Sequence, residues 1–208
     1  MGAGPLPVDE HRRRPPIPIV PVDARARADA LARGADAYGG WVASVTTRPG
    51  VRVVDAGEAD VLHTALAARR DAPGMSVGEV ALAVDAGREI AARAGAGVLV
   101  ACAPADRDET AAHALAEALA AGTGHGPLGA LRRLGDATTA VLCGVALGAG
   151  EHGLGCVCDG LAALAGAAVA AGIEPDLRPR LIAVRVPGDP ACEALVAALG
   201  LETIEAAP

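Results

Sequence analysis

Two patterns of apolar and polar positions alternate along the chain: short apolar runs of strand length, and longer segments in which apolar residues recur at helical spacing. Residues 51–55, Val-Arg-Val-Val-Asp, are β-rich and closed by Gly57, which predicts a strand running into a loop. Residues 98–102 are apolar throughout, the pattern of a strand covered on both faces, and Pro104 ends the run. Residues 154–158 and 181–186 predict two further strands on the same grounds.

Helical segments separate these runs. From Asp23 to about Ala43 the chain is alanine-rich and predicts a helix that Gly34, Gly39 and Gly40 can divide, whereas residues 59–73 carry no clear pattern. At Ser76 the hydroxyl can cap a backbone N–H while Glu79, three residues on, reaches back, the arrangement of a capping box. Val77, Val80, Ala81, Val84 and Ala91 then predict one apolar face of a helix reaching about Arg93, with Gly95 and Gly97 breaking it. A helix from about Asp108 to Ala121 stops at Gly122, and residues 122–129 are expected to form a glycine-rich loop. Further helices are predicted from Thr138 to about Ala149 and from Leu161 to Ala171, the second closed by a left-handed Gly172. Asp189 before Pro190 makes an acidic cap ahead of proline at the first helical position, and that helix runs to Leu199 with Gly200 closing it.

Strand and helix alternate throughout, which predicts an α/β fold: three layers, α/β/α, around a mostly parallel, Rossmann-like sheet with right-handed crossovers. Sites in such sheets lie at the carboxyl ends of the strands. Those ends are Asp55-Ala56-Gly57, Cys102-Ala103-Pro104, Asp159-Gly160 and Pro187-Gly188-Asp189. Residues 1–23, where His11-Arg12-Arg13-Arg14 precedes Pro15, Pro16, Pro18 and Pro21, are expected to form a flexible arm, and residues 24–208 a single domain.

Composition narrows the partners. A net charge of -7 argues against a nucleic-acid or anionic-lipid surface, since both require clustered positive charge. No apolar run reaches the ~20 residues that span a bilayer, and no secretory-type segment is apparent, so a small-molecule partner and a cytoplasmic location are expected. Cys102, Cys143, Cys156, Cys158 and Cys192 are scattered in apolar surroundings. Cys156 and Cys158 point to one face of a strand but lack a second ligand pair, so buried thiols are expected and neither metal nor cofactor is implied. Residues 122–126, Gly-Thr-Gly-His-Gly, superficially match a phosphate-binding loop, yet they follow a helix and lack the Lys-Ser/Thr ending. Ser44 and Ser76 are the only serines, and Ser76 is accounted for as a cap, so no nucleophilic triad is credible.

Residues 51–57, Val-Arg-Val-Val-Asp-Ala-Gly, resemble the V-x-V-x-D-x-G strand of the nicotinate-nucleotide:dimethylbenzimidazole phosphoribosyltransferases of cobalamin assembly. The resemblance continues in order. Met75-Ser76 and the helix after it look like the helix leading to that family's G-E-x-G-x-x-N-T-T loop, whose place residues 98–110 occupy. Residues 131–150 are similar to its L-x-x-x-G-G-x-D-L helix, residues 154–160 to its strand ending in L-D-G, and residues 162–171, 181–184 and 190–202 follow it without an obvious gap. Together these matches cover roughly residues 24–208 and identify the chain as a shortened, divergent member.

The family transfers the phosphoribosyl group of nicotinate mononucleotide to dimethylbenzimidazole, so the resemblance implies a glycosyltransferase scaffold needing a proton acceptor, a phosphate cradle and groups that stabilise an oxocarbenium-like sugar. The family glutamate that acts as base belongs to an R-L-G-E-G-x-G-A segment that would begin just beyond Pro208, and the glutamate of the G-E-x-G loop aligns with Ala103. The phosphate loop becomes Pro104-Ala105-Asp106-Arg107-Asp108-Glu109, with only Thr110 retained, and its added carboxylates would each repel a phosphate by about 1 kcal/mol. The family's H-x-S-x-E stretch becomes Arg185-Val186-Pro187-Gly188-Asp189.

The implied binding candidates are therefore Arg107, Asp108, Thr110, Asp159, Gly160, Arg185 and Asp189, while no catalytic residue is assigned. Each has a structural alternative: a turn for Asp159-Gly160, a helix cap for Asp189, a first-turn contact for Thr110, solvated cations for Arg107 and Arg185. Asp55 and His125 read in the same way as a loop-holding remnant and a lone loop histidine. The expectation is a phosphoribosyltransferase-like protein with reduced or no activity of its own, a pseudoenzyme, acting on or with a nucleotide or azole and forming a homodimer or partner subunit. Two alternatives stay open: an active transferase completed by a second chain, and a small-anion binder on the same scaffold.

Overall fold

The computed structural model describes residues 35–59, 66, 71–104, 107–122, 124–185 and 188–205. The predicted arm and the first part of the alanine-rich helix lie outside them. Elements in chain order are α1 (Ala35–Val45), β1 (Val51–Asp55), α2 (Val77–Ala92), β2 (Val98–Cys102), α3 (Thr110–Ala120), α4 (Gly126–Leu134), α5 (Ala137–Glu151), β3 (Gly155–Asp159), α6 (Leu161–Ile173), β4 (Leu181–Arg185), α7 (Pro190–Leu199) and β5 (Glu202–Glu205). A 3-10 turn, Pro175–Arg180, leads into β4.

The five strands form one sheet in the order β1-β2-β3-β4-β5, every neighbouring pair parallel. Strands laid down in ascending order with crossovers of one hand must send their connecting helices to the same side. The side chains agree. Val54, Leu99, Ala101, Cys156, Cys158, Leu181 and Ala183 share one buried cluster with residues of α2, α3, α5, α6 and α7. On the opposite face Val98, Val100, Val157, Ile182 and Val184 pack beneath Trp41 and Val45 of α1. Three layers are present, as the alternation predicted, but they are unequal.

Trp41 anchors the thin layer. Its indole Nε1 donates to the Pro179 carbonyl at 3.2 Å, and its ring lies where a side chain on Gly155 would project, 2.8 Å from Cη2. Arg180 donates to the Val45 carbonyl beside it. One indole thus ties α1 to β3 and to the turn before β4.

The thick layer is held by glycine. A Cβ on Gly87 of α2 would stand 2.7 Å from Val145 N and 2.9 Å from Gly144 C, and closer still to Val141 O. On α5 a Cβ on Gly144 would stand 2.8 Å from Val84 C, and Gly148 packs on Ala91 and Arg88 in the same way. The backbones of α2 and α5 therefore touch directly, an approach that only small residues permit. This accounts for an alanine- and glycine-rich chain with almost no aromatic residues: the helices bury area by coming close, not by interleaving large side chains.

Ser76 and Glu79 form the predicted capping box at α2, with Glu79 N–H donating to Ser76 Oγ at 3.2 Å and Ser76 N–H to Glu79 Oε2 at 2.7 Å. The predicted apolar face of this helix is displaced. Val77 and Ala81 are exposed, and the buried stripe is Val80, Ala83, Val84, Gly87, Ile90 and Ala91. The cause is Gly87, which carries the closest contact and so turns the helix to face α5.

Two further expectations are corrected. Residues 126–129 are not loop but the first turn of α4, where Pro127 occupies an early helical position that costs it no hydrogen bond. Gly172 is not a left-handed cap; α6 continues to Ile173, and Gly172 is needed because a Cβ there would strike Pro127 Cγ at 2.5 Å. Strand β5 and the 3-10 turn are additions to the elements that the sequence pattern predicts.

Candidate functional site

Parallel register brings the carboxyl ends of the strands into one row: Asp55 beside Cys102, Cys102 beside Asp159, Asp159 beside Val184. Loops rising from this row carry the predicted candidates. Asp55 turns back on its own loop, its Oδ1 accepting from Gly57 N–H at 2.7 Å, and Ala56 N–H donates to the Cys102 carbonyl at 3.0 Å. Asp159 is buried at the end of β3, and Gly160 follows at φ 84°, a left-handed conformation that glycine alone adopts without strain.

Between β2 and α3, Asp108 and Thr110 bond to each other. Asp108 Oδ1 accepts from Thr110 N–H at 2.9 Å and from Thr110 Oγ1 at 2.6 Å. These two bonds hold the Asp108 carboxyl below its ordinary pKa, so the exposed loop keeps its negative charge. The Thr110 hydroxyl proton is thereby committed to Asp108.

Arg107 is placed unlike the solvated cation the sequence suggested. Its side chain is only 2% exposed and pairs with Asp136, which is fully buried. Asp71 lies 3.9 Å from Arg107 Nε, and that Nε donates to the Asp108 carbonyl at 3.2 Å. Asp136 is the N-cap of α5; its Oδ1 accepts from Thr139 N–H at 2.8 Å and from Thr139 Oγ1 at 2.7 Å. Burial pushes the Asp136 carboxyl above its ordinary pKa, with Arg107 and the Thr139 donors pulling the other way. Sequence reasoning misses Asp136 because it starts this helix at Thr138. The signal is present in Asp136 itself, an acidic residue at the capping position before an apolar helix.

Asp189 is the cap its alternative reading required, Oδ1 accepting from Ala191 N–H at 2.9 Å and Cys192 N–H at 3.4 Å. The backbone of Arg185 pairs with Glu205 at the sheet edge, while its side chain lies outside the described residues. His125 is exposed, with Nε2 3.0 Å from Arg133 Nη1. It belongs to the other pole, since the neighbouring Pro127 packs on Gly172 at the far end of α6 from Gly160.

All five cysteines are reduced and buried. Burial pushes the Cys143 thiol to about 12, and burial with the Asp189 carboxylate does the same for Cys192. Cys156 and burial hold the Cys158 thiol up. A thiol raised from about 9 to about 12 on folding supports the native state up to pH 9 and withdraws that support as pH climbs towards 12. Native protein at pH 8 should therefore leave all five thiols unmodified by a disulfide reagent over minutes, and denaturant should expose all five. Rapid labelling of any one in the native state would contradict this packing. No group of three or more metal-ligating side chains occurs among the described residues, and no described helix is long and apolar enough to cross a membrane.

The strand ends of this parallel α/β sheet thus carry loops that gather carboxylates, one buried arginine and a threonine at a helix start. A family model described as phosphoribosyltransferase matches residues 109–206. Solved structures share the fold, two of them from one organism. The nicotinate-nucleotide-dimethylbenzimidazole phosphoribosyltransferase from Thermus thermophilus aligns with a TM-score of 0.59 and 28% identity, covering 69% of this chain and 52% of that one. A structure of CobT from the same organism aligns with a TM-score of 0.58 and 28% identity, covering 67% and 52%. No curated protein matches. The chain is similar to these phosphoribosyltransferases over part of its length, and it spans about half the length of the solved structures it matches.

Proposed function

We propose that this protein is a nicotinate-nucleotide:dimethylbenzimidazole phosphoribosyltransferase-like component of cobalamin lower-ligand assembly, with reduced or no transferase activity of its own. The observation that carries this reading is the state of Arg107. It is the only cation between Pro104 and Thr110, and it is buried against Asp136 instead of facing the strand ends. What remains open to a nucleotide there is Asp108, charged and exposed, beside a hydroxyl already donating to it.

A transferred phosphoribosyl group carries a dianionic phosphate, and a loop of this charge opposes it. Proton removal from the azole is also unprovided for at the end of β2, where Ala103 stands. Two of the carboxylates at or beside the strand ends, Asp55 and Asp189, are each engaged by backbone N–H groups of their own loops.

Purified protein incubated with nicotinate mononucleotide and dimethylbenzimidazole should release no nicotinate above the uncatalysed rate, measured by chromatography. Efficient turnover by this chain alone overturns the reading. Turnover that appears only when a second protein is added selects the alternative of a transferase completed by another chain.

A further inference from the structure

The start of α5 holds a buried hydrogen-bond donor that its occupant does not use. The Asp136 carboxylate accepts from Thr139 N–H, from Thr139 Oγ1 and from Arg107 Nη2. Another nitrogen of the same guanidinium, Arg107 Nη1, is buried without a hydrogen-bond partner among the described residues, as is Thr138 Oγ1 in the first turn of α5. The Arg107 side chain and Thr138 are each 2% exposed, so water from the bulk does not satisfy them. Leaving such groups unpaired is costly, and more so for a charged one. The excess is itself a sign of a larger acceptor.

The location fits one. A 15-residue helix presents its positive dipole end here, and the loop bearing Arg107 follows the carboxyl end of β2. A guanidinium, the Thr139 hydroxyl and a helix N-terminus form a cradle for a tetrahedral oxyanion, which offers four oxygens where a carboxylate offers two.

We propose that this cradle is a phosphate-type oxyanion site and that Asp136 is its internal occupant, a tethered carboxylate that neutralises Arg107 and keeps a free anion out. The proposal rests on the strand ends being the ligand-bearing pole, as in the functional reading above. It supplies a cause for weak nucleotide binding: the cation is present but already answered. Burial pushes the Asp136 carboxyl up, in keeping with a site where its charge is imperfectly accommodated.

The test uses inorganic phosphate, which carries no nucleoside, so its outcome is independent of whether transfer occurs. In D136S the serine hydroxyl still caps α5 while the carboxylate volume and charge are removed. Calorimetric titration at constant ionic strength should show phosphate binding to D136S at least roughly tenfold tighter than to the native protein, and the gain should vanish in D136S/R107M. A folded D136S with native-like phosphate affinity overturns the proposal, as does a gain that survives loss of Arg107. Should D136S not fold in its absence, tens of millimolar phosphate should restore the circular dichroism of D136S but not of D136S/R107M; failure to restore it is equally adverse.

Discussion

Replacing Gly87 by alanine should destabilise this protein by about 2–3 kcal/mol, although alanine exceeds glycine in helix propensity by ~1 kcal/mol. The added methyl meets main chain, with Val145 N 2.7 Å away and Gly144 C 2.9 Å away, and no rotamer change relieves a backbone clash. The axes of α2 and α5 must move apart, which unpacks Val80, Val84 and Ile90 together. Gly144 to alanine should behave alike, meeting Val84 C at 2.8 Å. Gly78 is the internal control. It lies in the same helix with nothing near its missing Cβ, so its replacement by alanine should stabilise by about 0.5–1 kcal/mol. Urea unfolding followed by the fluorescence of Trp41, the only tryptophan, reads both signs. Equal effects at Gly87 and Gly78 would refute the direct helix contact.

The second large effect is expected at Arg107. Substitution by methionine leaves the fully buried Asp136 without its cation and should cost about 3–5 kcal/mol at pH 7. R107M/D136L removes both charges and should recover most of that loss. The pH dependence has a definite sign. An Asp136 raised above its unfolded pKa is not penalised below the ordinary carboxylate range, and the penalty grows as pH rises through the folded value. R107M should therefore approach native stability in acid and fall away towards neutrality, relative to the unmutated protein at each pH. An R107M variant as stable as the native protein at pH 7 would mean that the pair is hydrated.

The sheet was legible because its signals are local. The continuous apolar run at 98–102, the strand-like run at 181–186, the Ser76 capping box and the Asp189-Pro190 entrance each specify an element from a few neighbouring residues. Gly172 and Val77 mislead for the opposite reason. Whether a glycine caps a helix or admits Pro127, and whether an apolar residue faces in, depends on a partner distant in sequence. The site divides in the same way. Asp189 and the Asp108–Thr110 pair bond within three residues and could be anticipated. Arg107 meets Asp136 across 29 positions, and nothing near Arg107 in the chain announces that its charge is neutralised inside.

The ascending strand order has a consequence for biosynthesis. Each strand docks on its immediate predecessor, so a chain leaving the ribosome never waits for a later segment to fill a gap between two earlier ones. Growth proceeds like courses of brick, and Glu202 on the outermost course places a charge where a stray neighbour would otherwise stack.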